Sequence, residues 1–236
     1  MSAQRNKGRQ QKPQQLLVEG QDDQHVVWHL CEQYRLPEVF DVKTPGLEEE
    51  LGGIDAVIKD IPVRLRQENL RTLGIMVDAD ANPMTQWERI RGALPTPMRT
   101  AMPPEPAVRG WIGEPTNIYG TPIRIGIWLM PEGYLRSGML EDFALQLIRA
   151  DDPLLAKALA TLDEVEQIDE ATRQRYSANH RSKALIHTWL AWQQNPGRPM
   201  GTAIKAGYLR YDAPPVLAFV AWLRRLFALG PTTEAI

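Results

Sequence analysis

Carboxylates at the ends of apolar segments are the residues in this chain best placed to do chemistry. Residues 73–82 read LGIMVDADAN. The run 73–77, with β-branched Ile75 and Val77, has the length and composition of a buried strand. It leads into Asp78-Ala79-Asp80. Side chains alternate across an extended chain, so these two carboxylates point the same way. Like charges brought together at the end of a buried strand repel, and one neutralises unless a cation sits between them. Carboxylate oxygens suit Mg²⁺, which is held by one or two protein acids with water and phosphate oxygens completing its shell.

Two more acidic stations follow the same pattern. Residues 15–20, QLLVEG, read as a short strand closing on Glu19 and a glycine turn. Asp22 is the expected N-cap of a helix over 23–34, with Val26, Val27, Leu30 and Tyr34 on its apolar face. Asp23 then lies in the first helical turn, where it can turn back toward Glu19. The third station is Glu141 near the start of a helix over 139–148, with Asp142 expected to be solvated. An acid in a first helical turn is also favoured by the helix dipole, so Asp23 and Glu141 each carry a structural reading beside the metal-ligand one. Asp78 and Asp80 in VDADANP also suit a turn.

Candidate cations are fewer. Residues 196–205, PGRPMGTAIK, form a turn leading into a helix; Arg198 and Lys205 there could hold a phosphate, and a structural loop is an equal reading. His25 and His29 share a helical face, but HVVWH lacks the acid of a zinc-protease motif and has no third ligand. Trp189, Trp192 and Trp222 keep helical spacing with Leu and Ala, as core residues do. There is no GxGxxG, Walker A or GxSxG motif, so dinucleotide, P-loop and serine-hydrolase chemistry have no residues to carry them.

The elements that must position these acids alternate. A strand over 39–44 is closed by Pro45-Gly46. A helix over 54–66 must restart or kink at Pro62. A helix over 84–94 follows Asn82-Pro83, with Trp87, Ile90 and Leu94 inward. Strand–helix alternation predicts a parallel α/β sheet, whose ligands bind outside the carboxyl ends of the strands. Glu19 and Asp78/Asp80 fall on that edge. Five prolines make 95–106 an expected extended loop. Residues 107–112 and 123–130 read as antiparallel strands. Beyond 152 the strand signals fade, and 154–168, 181–194, 201–207 and 216–229 read as helices. The expected organisation is a disordered basic tail over 1–14, an α/β domain over 15–150, and a helical region over 151–236 packed on it.

Bulk properties set limits. A chain of 236 residues can bury a core without disulfides or structural metal. Its one cysteine, Cys31, fits a reducing compartment and reads as a packed or surface thiol. Residues 1–15 lack the apolar segment of a signal peptide, and the longest apolar run, 216–223, is too short to span a bilayer. A cytoplasmic protein without a membrane is therefore expected. The net charge of −2 gives no bulk sign of nucleic acid, and Arg5, Lys7, Arg9 and Lys12 in the tail read as solvated, so any such case rests on local features.

LLVEGQDD followed by a strand ending in VDADAN resembles the Toprim domain, the metal-binding module of topoisomerases, primases, recombination-repair proteins and OLD-type nucleases. LRSGMLEDF resembles the element after the DxD motif in OLD-type members. Over nearly its full length, including SKALIHTWLAWQQNPGRPMGTAIKAGYL, the chain is similar to small stand-alone bacterial Toprim-like proteins of the DUF3226 type. The resemblance implies a Toprim-like Rossmannoid parallel sheet flanked by helices, with a C-terminal helical extension. It implies that Glu19 is a metal ligand or general acid/base and that Asp78 and Asp80 bind metal. Asp23 and Glu141 would then complete a site for two Mg²⁺ or Mn²⁺ ions. OLD-type enzymes place a downstream lysine beside the scissile phosphate; Lys183 and Lys205 are the candidates, with Arg198 and Lys205 as nucleic-acid contacts. The implied activity is a nuclease on DNA or RNA, in anti-phage defence or DNA repair, with an ABC-type ATPase as partner in trans; a homo-oligomer is compatible. The alternative is a catalytically inactive nucleic-acid-binding or regulatory subunit of an ATPase complex. Primase-like nucleotidyl transfer would use the same site but lacks a zinc module here, and a topoisomerase needs a tyrosine domain for which no chain remains.

Overall fold

The computed structural model describes residues 12–46, 53–133, 135–175 and 177–230. Strands β1 (Gln14–Val18), β2 (Asp41–Lys43), β3 (Thr72–Asp78), β4 (Trp111–Gly113) and β5 (Arg124–Met130) form one sheet in the order β2-β1-β3-β5-β4. All pairings are parallel except β4 with β5. This is the Rossmann-like α/β arrangement that the alternating pattern predicts.

Helix α1 (Gln21–Gln33) follows β1, and α2 (Gly53–Leu65) connects β2 to β3. Helices α3 (Pro83–Ala93) and α4 (Thr96–Ala101) follow β3, and α5 (Leu140–Leu145) follows β5. The rest is helical: α6 (Pro153–Glu166), α7 (Glu170–Arg173), a 3-10 turn at Ala178–His180, α8 (Arg181–Ala191), α9 (Met200–Lys205) and α10 (Pro214–Leu226).

Alternation along the strands sorts the core into two layers. Leu17, Leu73, Ile75, Val77, Ile125, Ile127 and Leu129 pack under α2, α3 and α4. Leu16, Val18, Met76, Trp128 and Met130 face the other way and share a core with α1, α5, α6, α8, α9 and α10. On that second face Gly74 and Gly126 stand side by side in register on β3 and β5. A Cβ on Gly74 would lie 2.8 Å from Leu226 Cδ2, and one on Gly126 would lie 2.7 Å from Leu226 Cδ1. The paired glycines are therefore a notch in the sheet that seats α10.

Several local expectations change. Helix α1 starts at Gln21 with Gly20, not Asp22, as its N-cap, because the Asp23 carboxylate bonds back to the Gly20 N–H at 3.0 Å. Helix α2 runs through Pro62 without a break. The proline-rich segment holds α4 rather than an extended loop: its prolines fall at the cap and first turn, where no N–H is needed. Strand β4 begins only at Trp111. Residues 12–14 of the expected tail are in place: the Pro13 carbonyl accepts from Arg71 N, and β1 starts at Gln14. Residues 1–11 lie outside the described residues. Trp189 and Trp222 are buried as expected, but α8 ends at Ala191 and leaves Trp192 exposed. Among the described residues no helix is long and apolar enough to cross a membrane.

Candidate metal centre

The acids at the carboxyl edge of the sheet are held by backbone N–H groups of neighbouring elements. Glu19, one residue beyond β1, accepts through Oε1 from Asp78 N at 2.7 Å, which ties the ends of β1 and β3 together. Asp78, the last residue of β3, accepts through Oδ1 from Leu140 N at 2.8 Å, at the start of α5. Glu141 follows directly and is 6% exposed. Asp23 is fixed by its bond to Gly20 N. Asp80 lies just past the strand at φ +50°, a left-handed conformation that aspartate tolerates better than most residues. Two backbone bonds hold it there: Asp80 N to Gly138 O at 2.9 Å and Gly138 N to Asp80 O at 2.8 Å. Its Oδ2 accepts from Gln86 Nε2 at 2.6 Å.

The electrostatics show that these groups share one site. Burial pushes the Glu19 carboxyl up to about 8; the Asp78 N–H works against this, the charges of Asp23 and Asp80 add to it, and Arg89 opposes it. Burial likewise pushes Asp23 up to about 7, with the Gly20 N–H opposing and Glu141 and Asp22 adding. Asp78 is raised well above the usual carboxylate range, first by burial and then by Glu19, Asp23, Glu141 and Asp80. Asp78 therefore lies within the fields of the other four acids singled out in the sequence.

A lysine sits at the rim. Lys183 Nζ is 3.4 Å from Glu141 Oε1, and the lysine side chain is 54% exposed. Its position follows from a latch between helix starts. Ser182 Oγ donates to Asp142 Oδ1, and Asp142 Oδ2 accepts from Met139 N at 2.9 Å. Asp142 is thus a cap and a tether rather than a merely solvated acid. Lys205 is elsewhere: its ammonium bonds Glu32 at 2.8 Å, nine residues after Asp23, or about 13 Å along α1. Arg198 lies 5.8 Å over the Tyr208 ring. Neither Lys205 nor Arg198 is linked to the acids by a hydrogen bond or ion pair among the described residues. His25 packs on Trp28, and His29 pairs with Glu32, so the two histidines are engaged along α1.

A family model described as "Protein of unknown function (DUF3226)" matches residues 13–228. The chain belongs to this family. No curated protein and no solved structure matches it. The DUF3226 match begins beside β1 and ends just after α10, so it includes both the acids and the helices that bring Lys183 to them.

Three partners in this DUF3226 chain have no mark in the sequence. Gln86 and Arg89 lie on α3, and Arg89 Nη1 donates to Gln86 Oε1 at 3.1 Å; the other terminal nitrogen of the guanidinium, Nη2, pairs with Asp55 of α2. Ser182 is the third. Only proximity in the fold reveals them, although Gln86 stands six residues from a recognised ligand candidate.

The donor chemistry fits a hard divalent cation. The cluster offers carboxylate oxygens only, largely buried, with charge repulsion that a cation would relieve. Among the described residues no three His, Cys, Asp or Glu side chains are already gathered as a cage. Mg²⁺ does not require one, because it keeps several waters and takes one or two carboxylates.

Proposed function

We propose that this protein is a divalent-metal-dependent nucleic-acid phosphodiesterase with a Toprim-type acidic site related to that of OLD-type nucleases. The observation that carries the reading is the convergence of Glu19, Asp23, Asp78, Asp80 and Glu141 from three separate element junctions, with Lys183 at the rim. Mg²⁺ or Mn²⁺ ions held by Glu19, Asp78, Asp80 and Glu141 would supply charge stabilisation to the attacking and leaving oxygens of an in-line displacement. The chain's own groups do the remainder. Glu19, fixed through Oε1 by the Asp78 N–H, is oriented either to ligate metal or to move a proton. Lys183 can move from Glu141 to a phosphate oxygen and neutralise charge that develops there. Asp23 braces Gly20 and so fixes the turn carrying Glu19.

Purified protein incubated with single- and double-stranded DNA and RNA in Mg²⁺ or Mn²⁺ should cleave at least one of them. Asp78→Ala and Glu19→Gln should each abolish cleavage, and equal activity in these variants would sink the assignment. A second reading is a binding or regulatory subunit of an ATPase complex that holds nucleic acid without hydrolysing it. The Lys183–Glu141 pair favours it, since it engages the lysine at the rim of the site. Metal-dependent retention of nucleic acid without cleavage, unchanged in Lys183→Met, would select that reading. The ABC-type ATPase and a role in anti-phage defence or DNA repair belong to the proposal through the OLD-type resemblance.

A further inference from the structure

The geometry points to Gln86 as the residue that positions Asp80 for metal, with Arg89 setting the orientation of the glutamine. The inference rests on the metal reading above and adds a role on α3. Gln86 is 7% exposed. A buried amide must satisfy both its ends. Its Nε2 donates to Asp80 Oδ2 at 2.6 Å, and its Oε1 accepts from Arg89 Nη1 at 3.1 Å. The arginine thus decides which end of the amide faces the carboxylate, because a guanidinium can only donate. The far side of the guanidinium is anchored on Asp55, so the relay runs from α2 through α3 to the end of β3.

Asp80 needs such a brace. It is the one acid of the cluster that lies in left-handed backbone. Its main chain is fixed by Gly138, but that leaves the side-chain torsions free. The Gln86 bond fixes them by occupying Oδ2, and no other hydrogen bond among the described residues engages Oδ1, which remains available to an ion. Partners that orient a ligating carboxylate in this way typically change metal affinity by about 10–100-fold when lost.

Charge and orientation give opposite signs for Arg89. Considered as a charge alone, a cation near the acids weakens binding of another cation, so its removal should tighten Mn²⁺ binding. Considered as the group that turns Gln86, its removal should weaken binding.

Mn²⁺ alone, titrated calorimetrically into the full-length protein, separates these cases, with thermal melting read in parallel. Gln86→Met keeps the length and helix preference of the side chain and should weaken Mn²⁺ affinity by about 10–100-fold. Arg89→Met, at a partly exposed position, should weaken it in the same direction and remain folded. Gln15→Met removes a comparably buried glutamine from the Arg64 network at the opposite end of β1; it should lower the melting temperature and leave Mn²⁺ affinity unchanged. Wild-type affinity in Gln86→Met, or tighter binding in Arg89→Met, would overturn the positioning role. Absence of Mn²⁺ binding by the wild-type protein would instead remove the metal reading, and this inference with it.

Discussion

Glu19 and Asp78 are joined by a single hydrogen bond, yet their carboxylates are repelled by the same neighbours. The bond runs from a backbone N–H to Glu19, so substitution of Glu19 by glutamine keeps an acceptor while removing a buried charge. Glu19→Gln should therefore stabilise the metal-free protein at pH 8 by about 0.5–2 kcal/mol while abolishing cleavage. A thermal melt beside a nuclease assay would show the trade directly. Lys183 makes the complementary test. If it neutralises the phosphate, Lys183→Met should lower turnover by about 10²–10³-fold and leave Mn²⁺ affinity equal or tighter, since a cation has left Glu141. The acids were legible in the sequence because strand ends and helix starts have local signatures. Lys183 could not be told from Lys205 by such means. Their difference arises from packing between segments 40 residues apart, where Ser182 meets Asp142, and between Lys205 and Glu32, 173 residues apart.

At the scale of elements, the site depends on how short helices are seated. Helix α5 has six residues and takes its orientation from Asp78, Asp142 and the start of α8. Helix α10 is seated by absence of side chains, in the notch made by Gly74 and Gly126. A Cβ at Gly126 would also come within 3.0 Å of Trp222 Cζ2. Gly126→Ala should cost about 1–3 kcal/mol through overpacking, seen as a lower melting temperature with an unchanged fold by circular dichroism. Strands β1, β3 and β5 were legible because their apolar runs are continuous and bounded by turn residues. Helix α4 was not, because proline reads as a breaker unless its position within the first turn is known. The register of glycines was equally hidden, since each reads locally as a weak point in a strand.

For the whole molecule, the raised carboxyls couple stability to pH. Glu19 moves from its ordinary 4.5 to about 8, and Asp23 from 3.8 to about 7. The folded state therefore binds more protons than the unfolded chain between those values, and stability falls as pH rises across them. The melting temperature of metal-free protein should be higher near pH 5 than near pH 8. Added Mg²⁺ should raise it more at pH 8, where binding releases fewer protons. A flat profile that Glu19→Gln does not alter would contradict the shared field of the acids.

The seating of Leu226 over Gly74 and Gly126 also governs the order in which the molecule can be completed. Strand β1 is made before the other strands, and α10, one of the helices on this sheet face, is made about 200 residues later. At 5–20 residues per second that interval is roughly 10–40 s. Leu16 throughout it, and Met76 and Trp128 once they are made, have no α10 to bury them. The part of this face that α10 covers must therefore stay open until that helix arrives, while α1, α5, α6, α8 and α9 can cover the rest as they are made.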